Sequence, residues 1–152
     1  MTAMTTATRS HHSTSTATVG AAGAVTAVTA STLTALFAHT WGEVISMVAL
    51  IVVVAALVYA YVLPRGLRRE NAGGTALTLA IIGAVVVVPG FWTGLPLVLG
   101  VAAMILGNTG RTARQGSGKY IVALALGALT SLFYLSIYVM EGIAGNTGFL
   151  LG

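Results

Sequence analysis

The charges of this chain are confined to a few short stretches, and that confinement decides what it can fold into. Arg65, Arg68 and Arg69 share one polar gap, and Arg111, Arg114 and Lys119 share another. From residue 44 to residue 140, the sequence outside those gaps carries no charged side chain. A soluble element must show a polar face to water, and apolar runs of this length have none. The expected fold class is all-α integral membrane. With 57% hydrophobic and 7% charged residues, against roughly 25% charged in an average soluble domain, a water-facing surface cannot be built.

The 152 residues have room for one small helical bundle and a tail, without a separate extramembrane domain. The net charge of +4 and pI near 10.0 raise the question of nucleic acid. However, the basic residues flank apolar spans instead of clustering with aromatics, so positive-inside anchoring accounts for them. The partners expected on this ground are the lipid bilayer and anionic lipid headgroups at the basic loops, with no nucleic acid. The absence of cysteine excludes disulfides and thiolate metal sites.

Residues 1–18 are Thr, Ser and Ala with Arg9 and the pair His11-His12, a composition that cannot bury a core and reads as disordered tail. Residues 19–38 lose charge but stay rich in Ala, Thr and Gly, which makes insertion into a membrane marginal. Three readings fit them: extended tail, a weak extra span, or a secretory signal with Arg9 in its n-region and Val28-Thr29-Ala30 as cleavage site. Repeated Thr in the apolar region counts against the signal. The division adopted is a Thr/Ser/Ala-rich tail over 1–40 and a membrane bundle over 41–152.

Four transmembrane helices are expected in that bundle, at about 44–63, 74–90, 93–107 and 120–140. The first is β-branched and aliphatic, has Trp41 at one end and Tyr59 and Tyr61 near the other as interfacial anchors, and stops at Pro64. The apolar stretch 75–106 is too long for one ordinary span and is interrupted by Pro89-Gly90-Phe91-Trp92-Thr93-Gly94-Leu95-Pro96, which makes it a hairpin of two helices. Charge placement agrees. One kinked helix would put the basic gaps on opposite faces of the membrane, whereas a hairpin keeps both inside and leaves the C-terminus outside. Depth leaves two forms open: residues 75–88 and 95–107 cover only about 20 Å each, against a hydrocarbon core of roughly 30 Å. The hairpin either recruits flanking residues such as Gly74, Phe91 and Trp92 or dips as a re-entrant loop. With four spans the N-terminal tail lies outside; a fifth span over 19–38 would bring Arg9 inside.

The stretch from Gly94 to Gly107 (GLPLVLGVAAMILG), the loop from Arg111 to Lys119 and the segment from Ala123 to Ala128 together resemble DUF4190, a family of small bacterial membrane proteins of unknown function. The resemblance covers less than half of the chain. It implies an architecture, a short Gly-rich hairpin with a basic loop and a closing helix, and no activity. The 44–63 span and the Thr-rich tail are additions to that pattern.

Within lipid, helices associate through close backbone approach, so small residues mark the packing faces. Gly100, Ala103 and Gly107 share one face of their helix, Ala123, Gly127 and Ser131 form a stripe on the last, and Ala76, Ala80 and Ala84 form a third. The first two stripes are expected to face protein. Thr130, Ser131 and Ser136 are expected to bond their own backbone carbonyls.

No chemical site emerges. The segment Ala113-Arg114-Gln115-Gly116-Ser117-Gly118-Lys119-Tyr120 imitates a phosphate-binding loop but follows a membrane helix and lacks Ser or Thr after the lysine. His11-His12 has no third metal ligand. His39 and Glu43 stand at helical spacing, with Glu141 on the same side of the membrane, and read as interfacial residues. No confident span contains an ionisable acid or base of the kind that proton relays and intramembrane hydrolases use, and the chain has no Asp for a Ser-His-Asp triad. We expect no enzyme activity, cofactor or metal. Two functions remain: a structural or accessory subunit packing against a membrane-protein partner or itself, and a small homo-oligomeric pore or permease lined by Thr and Ser.

Overall fold

The computed structural model describes residues 16–38, 40–68, 72–112 and 118–151, and every regular element among them is helical. Helix α1 (Thr16–Phe37) precedes α2 (Trp41–Ala56), a π-helical segment (Leu57–Val62) and α3 (Leu63–Arg68), which run on as one helix. Then come α4 (Ala72–Gly90), a 3-10 turn (Phe91–Thr93), α5 (Leu95–Thr112) and α6 (Gly118–Leu151). Four stretches, Ala17–Leu36, Trp41–Arg68, Ala72–Gly90 and Gly118–Ala144, are long and apolar enough to cross a membrane, while Leu95–Arg111 is apolar but shorter.

Helix α1 departs from the expected tail over residues 1–40. Val19, Thr26, Ala30 and Thr34 are buried, and their spacing of seven, four and four puts them on one helical face. The threonines do not prevent this because their hydroxyls are spent locally. Thr26 Oγ1 donates to the Ala22 carbonyl at 2.7 Å and Thr32 Oγ1 to Val28 at 2.9 Å, removing most of the cost of taking a hydroxyl out of water. The disordered segment expected over residues 1–15, with Arg9 and His11-His12, lies outside the described residues.

Pro64 does not end the second helix. Proline has no N–H to donate and crowds the carbonyl four residues back. Ahead of it the chain widens into the π segment, and the Leu63 N–H reaches the Val58 carbonyl five residues earlier. The helix then continues to Arg68. At its start Thr40 caps α2, its Oγ1 accepting from the Glu43 N–H at 3.2 Å.

Helix α5 occupies the centre. It packs antiparallel to α4 and α6 on one side and meets α1, α2 and α3 on the other. Leu97, Val98, Leu99, Ala102, Ala103 and Leu106 are all buried along it. The α4–α5 hairpin closes through Phe91–Thr93 and Gly94, whose φ of +70° is left-handed and costs a side chain-bearing residue more than glycine. A β-carbon there would also stand 3.0 Å from Ala30 Cβ and Ile51 Cδ1, so the turn is seated against α1 and α2. Both hairpin helices exceed their core apolar stretches: nineteen residues in α4 and eighteen in α5 rise about 28 and 27 Å.

Candidate functional site

The two basic gaps come together at one end of the bundle. A β-carbon on Gly66 would lie 3.1 Å from Leu106 Cδ2 and 3.4 Å from Thr75 Cγ2, one on Gly73 would lie 3.2 Å from the Tyr120 ring, and Gly110 abuts the same ring. These contacts gather the ends of α3 and α5 with the starts of α4 and α6. Arg65, Arg68, Arg111 and Lys119 are all exposed there. Arg69 and Arg114 lie outside the described residues. The Arg65 guanidinium sits 3.3 Å from the centroid of the Tyr61 ring and donates to the Tyr61 carbonyl at 3.4 Å, so it is held against its own helix.

Glu43 and Glu141 are exposed at the opposite end. There Thr34, Glu43, Met47, Trp92 and Tyr138 line a small cavity of about 40 Å³. Thr34 Oγ1 donates to the Trp92 carbonyl at 3.4 Å. The Tyr134 ring, fully buried, stacks at a tilt on Tyr138 with centroids 4.8 Å apart.

The small residues of α5 and α6 meet backbone to backbone. A β-carbon on Gly127 would fall 2.6 Å from the Gly100 carbonyl oxygen and 3.2 Å from Ala103 Cβ, and one on Gly100 would fall 2.9 Å from the Gly127 carbonyl oxygen and 2.5 Å from Ser131 Oγ. A β-carbon on Gly107 would lie 2.9 Å from the Tyr120 carbonyl oxygen and 3.1 Å from Leu124 Cβ. Ala123 is fully buried in the same cluster. Ser131 Oγ donates to the Gly127 carbonyl at 2.9 Å and Ser136 Oγ to Phe133 at 2.8 Å. In the third stripe Ala76 and Ala80 are fully buried and Ala84 is half-buried.

Tyr59 takes a position other than the interfacial one expected. It is buried, whereas Tyr61 is exposed. Its hydroxyl shares one proton between the Val98 carbonyl and Thr26 Oγ1, each at 3.4 Å, and so ties α1 and α5 to the π segment. Gly23 of α1 leaves the room for its ring: a β-carbon there would lie 2.7 Å from Tyr59 Cγ. The four-residue spacing of Ile51, Ala55 and Tyr59, all buried, was the available signal. Beside this contact α1 and α2 diverge into an apolar groove of about 430 Å³, walled by Val19, Gly20, Gly23, Ala24 and Ala27 on one side and by Val52, Ala55, Ala56, Tyr59, Ala60 and Pro64 on the other.

Among the described residues no group of three or more His, Asp or Glu is placed to hold a metal ion. His39 and residues 113–117 of the phosphate-loop imitation lie outside the described residues. Comparison with family models, curated proteins and solved structures gives no match.

Proposed function

We propose that this chain is a small multi-pass membrane protein serving as a structural or accessory subunit, which packs through its outer helix faces against a membrane-protein partner or a second copy. In this reading α1, the continuous α2–α3 helix, α4, α5 and α6 all cross the bilayer. The basic end faces the cytoplasm and the end bearing Glu43 and Glu141 faces outward, in keeping with the Lys/Arg bias of cytoplasmic loops. The start of α1 is then inside, and the C-terminus is outside. The DUF4190 resemblance agrees with this, since it too implies an architecture and no chemistry.

The observation that carries the proposal is the distribution of side chains by size and polarity. Large apolar groups such as Val25, Val28, Val53, Leu57, Val85, Val88, Leu129, Leu132 and Met140 are turned outward, while Ala76, Ala80, Ala102, Ala103, Ala123, Gly100, Gly127, Thr26, Thr130 and Ser131 line the helix contacts inside. That is the order expected where lipid is the solvent and helices associate through small residues. The alternative, a pore, requires a polar path. The α5–α6 seam is closed at the level of backbone atoms, and the hydroxyls of Thr26, Ser131 and Ser136 bond to their own helices. A path would therefore have to run between copies.

Purification in mild detergent through a C-terminal tag tests the reading. A stoichiometric protein partner, or a defined dimer without solute flux in liposomes, is the expected result; a homo-oligomer that conducts ions or solutes overturns it in favour of the pore.

A further inference from the structure

We infer that the groove between α1 and α2 is a binding site for one anionic phospholipid, with an acyl chain along the groove and its phosphate at Arg68. The inference rests on the membrane-spanning reading above and adds a specific ligand to it. Three features of the site converge.

The first is shape. The groove extends along the second helix from Val52 to Pro64, a rise of about 18 Å, which is close to the half-thickness of a hydrocarbon core of roughly 30 Å. It thus spans one leaflet, the one at the basic end. Its walls are Gly20, Ala24 and Ala27 facing Ala56, Ala60 and Pro64, side chains too small to fill the space between two helix backbones. Among the described residues no helix occupies it, and a flexible hydrocarbon chain matches its apolar lining.

The second is charge. Pro64 lines the end of the groove, and Arg68, exposed, stands four residues further along α3, hence on the same face one turn beyond. In the membrane-spanning reading, this register puts position 68 near headgroup level, one turn past the residue that ends the groove lining. Arg65 is held on the Tyr61 ring and carbonyl, leaving Arg68 as the described cation of α3 on the groove face. Both described acids lie at the far end of the bundle; Glu70 is outside the described residues. A guanidinium prefers a phosphate to a neutral hydroxyl and can bind it with two parallel hydrogen bonds.

The third is the backbone. The groove wall includes the π segment Leu57–Val62, in which Tyr59 is buried and Tyr61 exposed. Single-turn π distortions recur at functional sites. Here it accompanies the passage of the helix through Pro64 and on to Arg68, one turn beyond the groove lining.

The test titrates the purified full-length chain with palmitoyl-oleoyl phosphatidylglycerol and with the zwitterionic phosphatidylcholine of the same acyl chains, counting bound lipids by native mass spectrometry. One retained phosphatidylglycerol, bound at least fivefold tighter than phosphatidylcholine, is expected. Arg68→Gln should abolish that preference. Arg111→Gln, which removes the same charge at the same end but away from the groove, should change it less than twofold. Ala60→Leu, which fills the groove, should weaken both lipids, and unchanged helicity by circular dichroism confirms that each variant folds. Equal binding of the two lipids, equal losses in Arg68→Gln and Arg111→Gln, or a partner helix cross-linking to position 60 in place of lipid would each overturn the site. Absence of the chain from the membrane fraction would instead defeat the membrane-spanning reading itself, and is scored separately by membrane fractionation before the titration.

Discussion

Gly100 and Gly127 stand back to back across the α5–α6 seam, each so close to the other's carbonyl that neither has room for a β-carbon: 2.9 Å in one direction and 2.6 Å in the other. Because both obstacles are backbone atoms, a substitution there moves a whole helix instead of a flexible side chain.

Gly127→Ala should accordingly destabilise the bundle by about 1–3 kcal/mol, the usual cost of overpacking, and Gly127→Leu should separate α6 from α5. Thermal unfolding in detergent measures both. Gly74→Ala is the matched control. A β-carbon there meets nothing within 4 Å, so the change should be neutral or stabilise by up to about 1 kcal/mol through helix propensity. Equal losses at 74 and 127 would refute the close-contact argument.

Tyr59 separates ring packing from hydrogen bonding. Its hydroxyl contacts are long, 3.4 Å each, and side-chain hydrogen bonds between membrane helices average about 0.6 kcal/mol. Tyr59→Phe should therefore cost under about 1 kcal/mol. Tyr59→Ala leaves a cavity among α1, α2 and α5 and should cost about 3–5 kcal/mol. Unfolding by titration with sodium dodecyl sulfate ranks the two variants.

The Gly94 turn couples the hairpin to the first two helices. Gly94→Ala places an alanine at positive φ, a penalty of about 1–2 kcal/mol, and pushes its methyl group onto Ala30 and Ile51. Shortening the neighbour with Ile51→Val should recover part of the loss. A double-mutant cycle reads that coupling, and strictly additive losses would mean that the turn is not seated on α2.

Because the chain has no cysteine, single introduced cysteines report the topology directly. Thr40→Cys and Gly142→Cys should react with a membrane-impermeant maleimide added outside intact cells, and Arg111→Cys and Gly118→Cys only after lysis. Reaction of position 118 in intact cells would invert the orientation, and reaction of Ala17→Cys, at the exposed start of α1, in intact cells would remove α1 from the set of crossing helices.

Much of the packing was legible because it depends on residue size, which a sequence states directly. The faces bearing Gly100, Ala103 and Gly107 and bearing Ala123, Gly127 and Ser131 are the ones the structure lays against each other. The 89–96 cluster could be read as a turn because proline fixes the backbone locally and glycine admits the left-handed conformation that Gly94 adopts. Helix α1 was harder to read, since hydropathy charges threonine for a hydroxyl that Thr26 and Thr32 have already given to their own backbone. Pro64 misled for a related reason: a proline rule assumes α-helical register, and the chain had changed register by Leu57. The groove left the weakest trace, because it is formed by what Gly20, Ala24, Ala56 and Ala60 lack.

The shortest apolar helix, Leu95–Arg111, is also the one surrounded by the rest of the chain. In a bilayer, a helix shorter than the hydrocarbon thickness thins the lipid around it or recruits neighbours, at a cost for every ångström of hydrophobic mismatch. α5 is screened from that cost because protein, not lipid, is its solvent. In the proposed membrane arrangement, membrane thickness therefore acts on the outer helices, and the same bundle would reside in bilayers of different depth without its central helix having to tilt or slide.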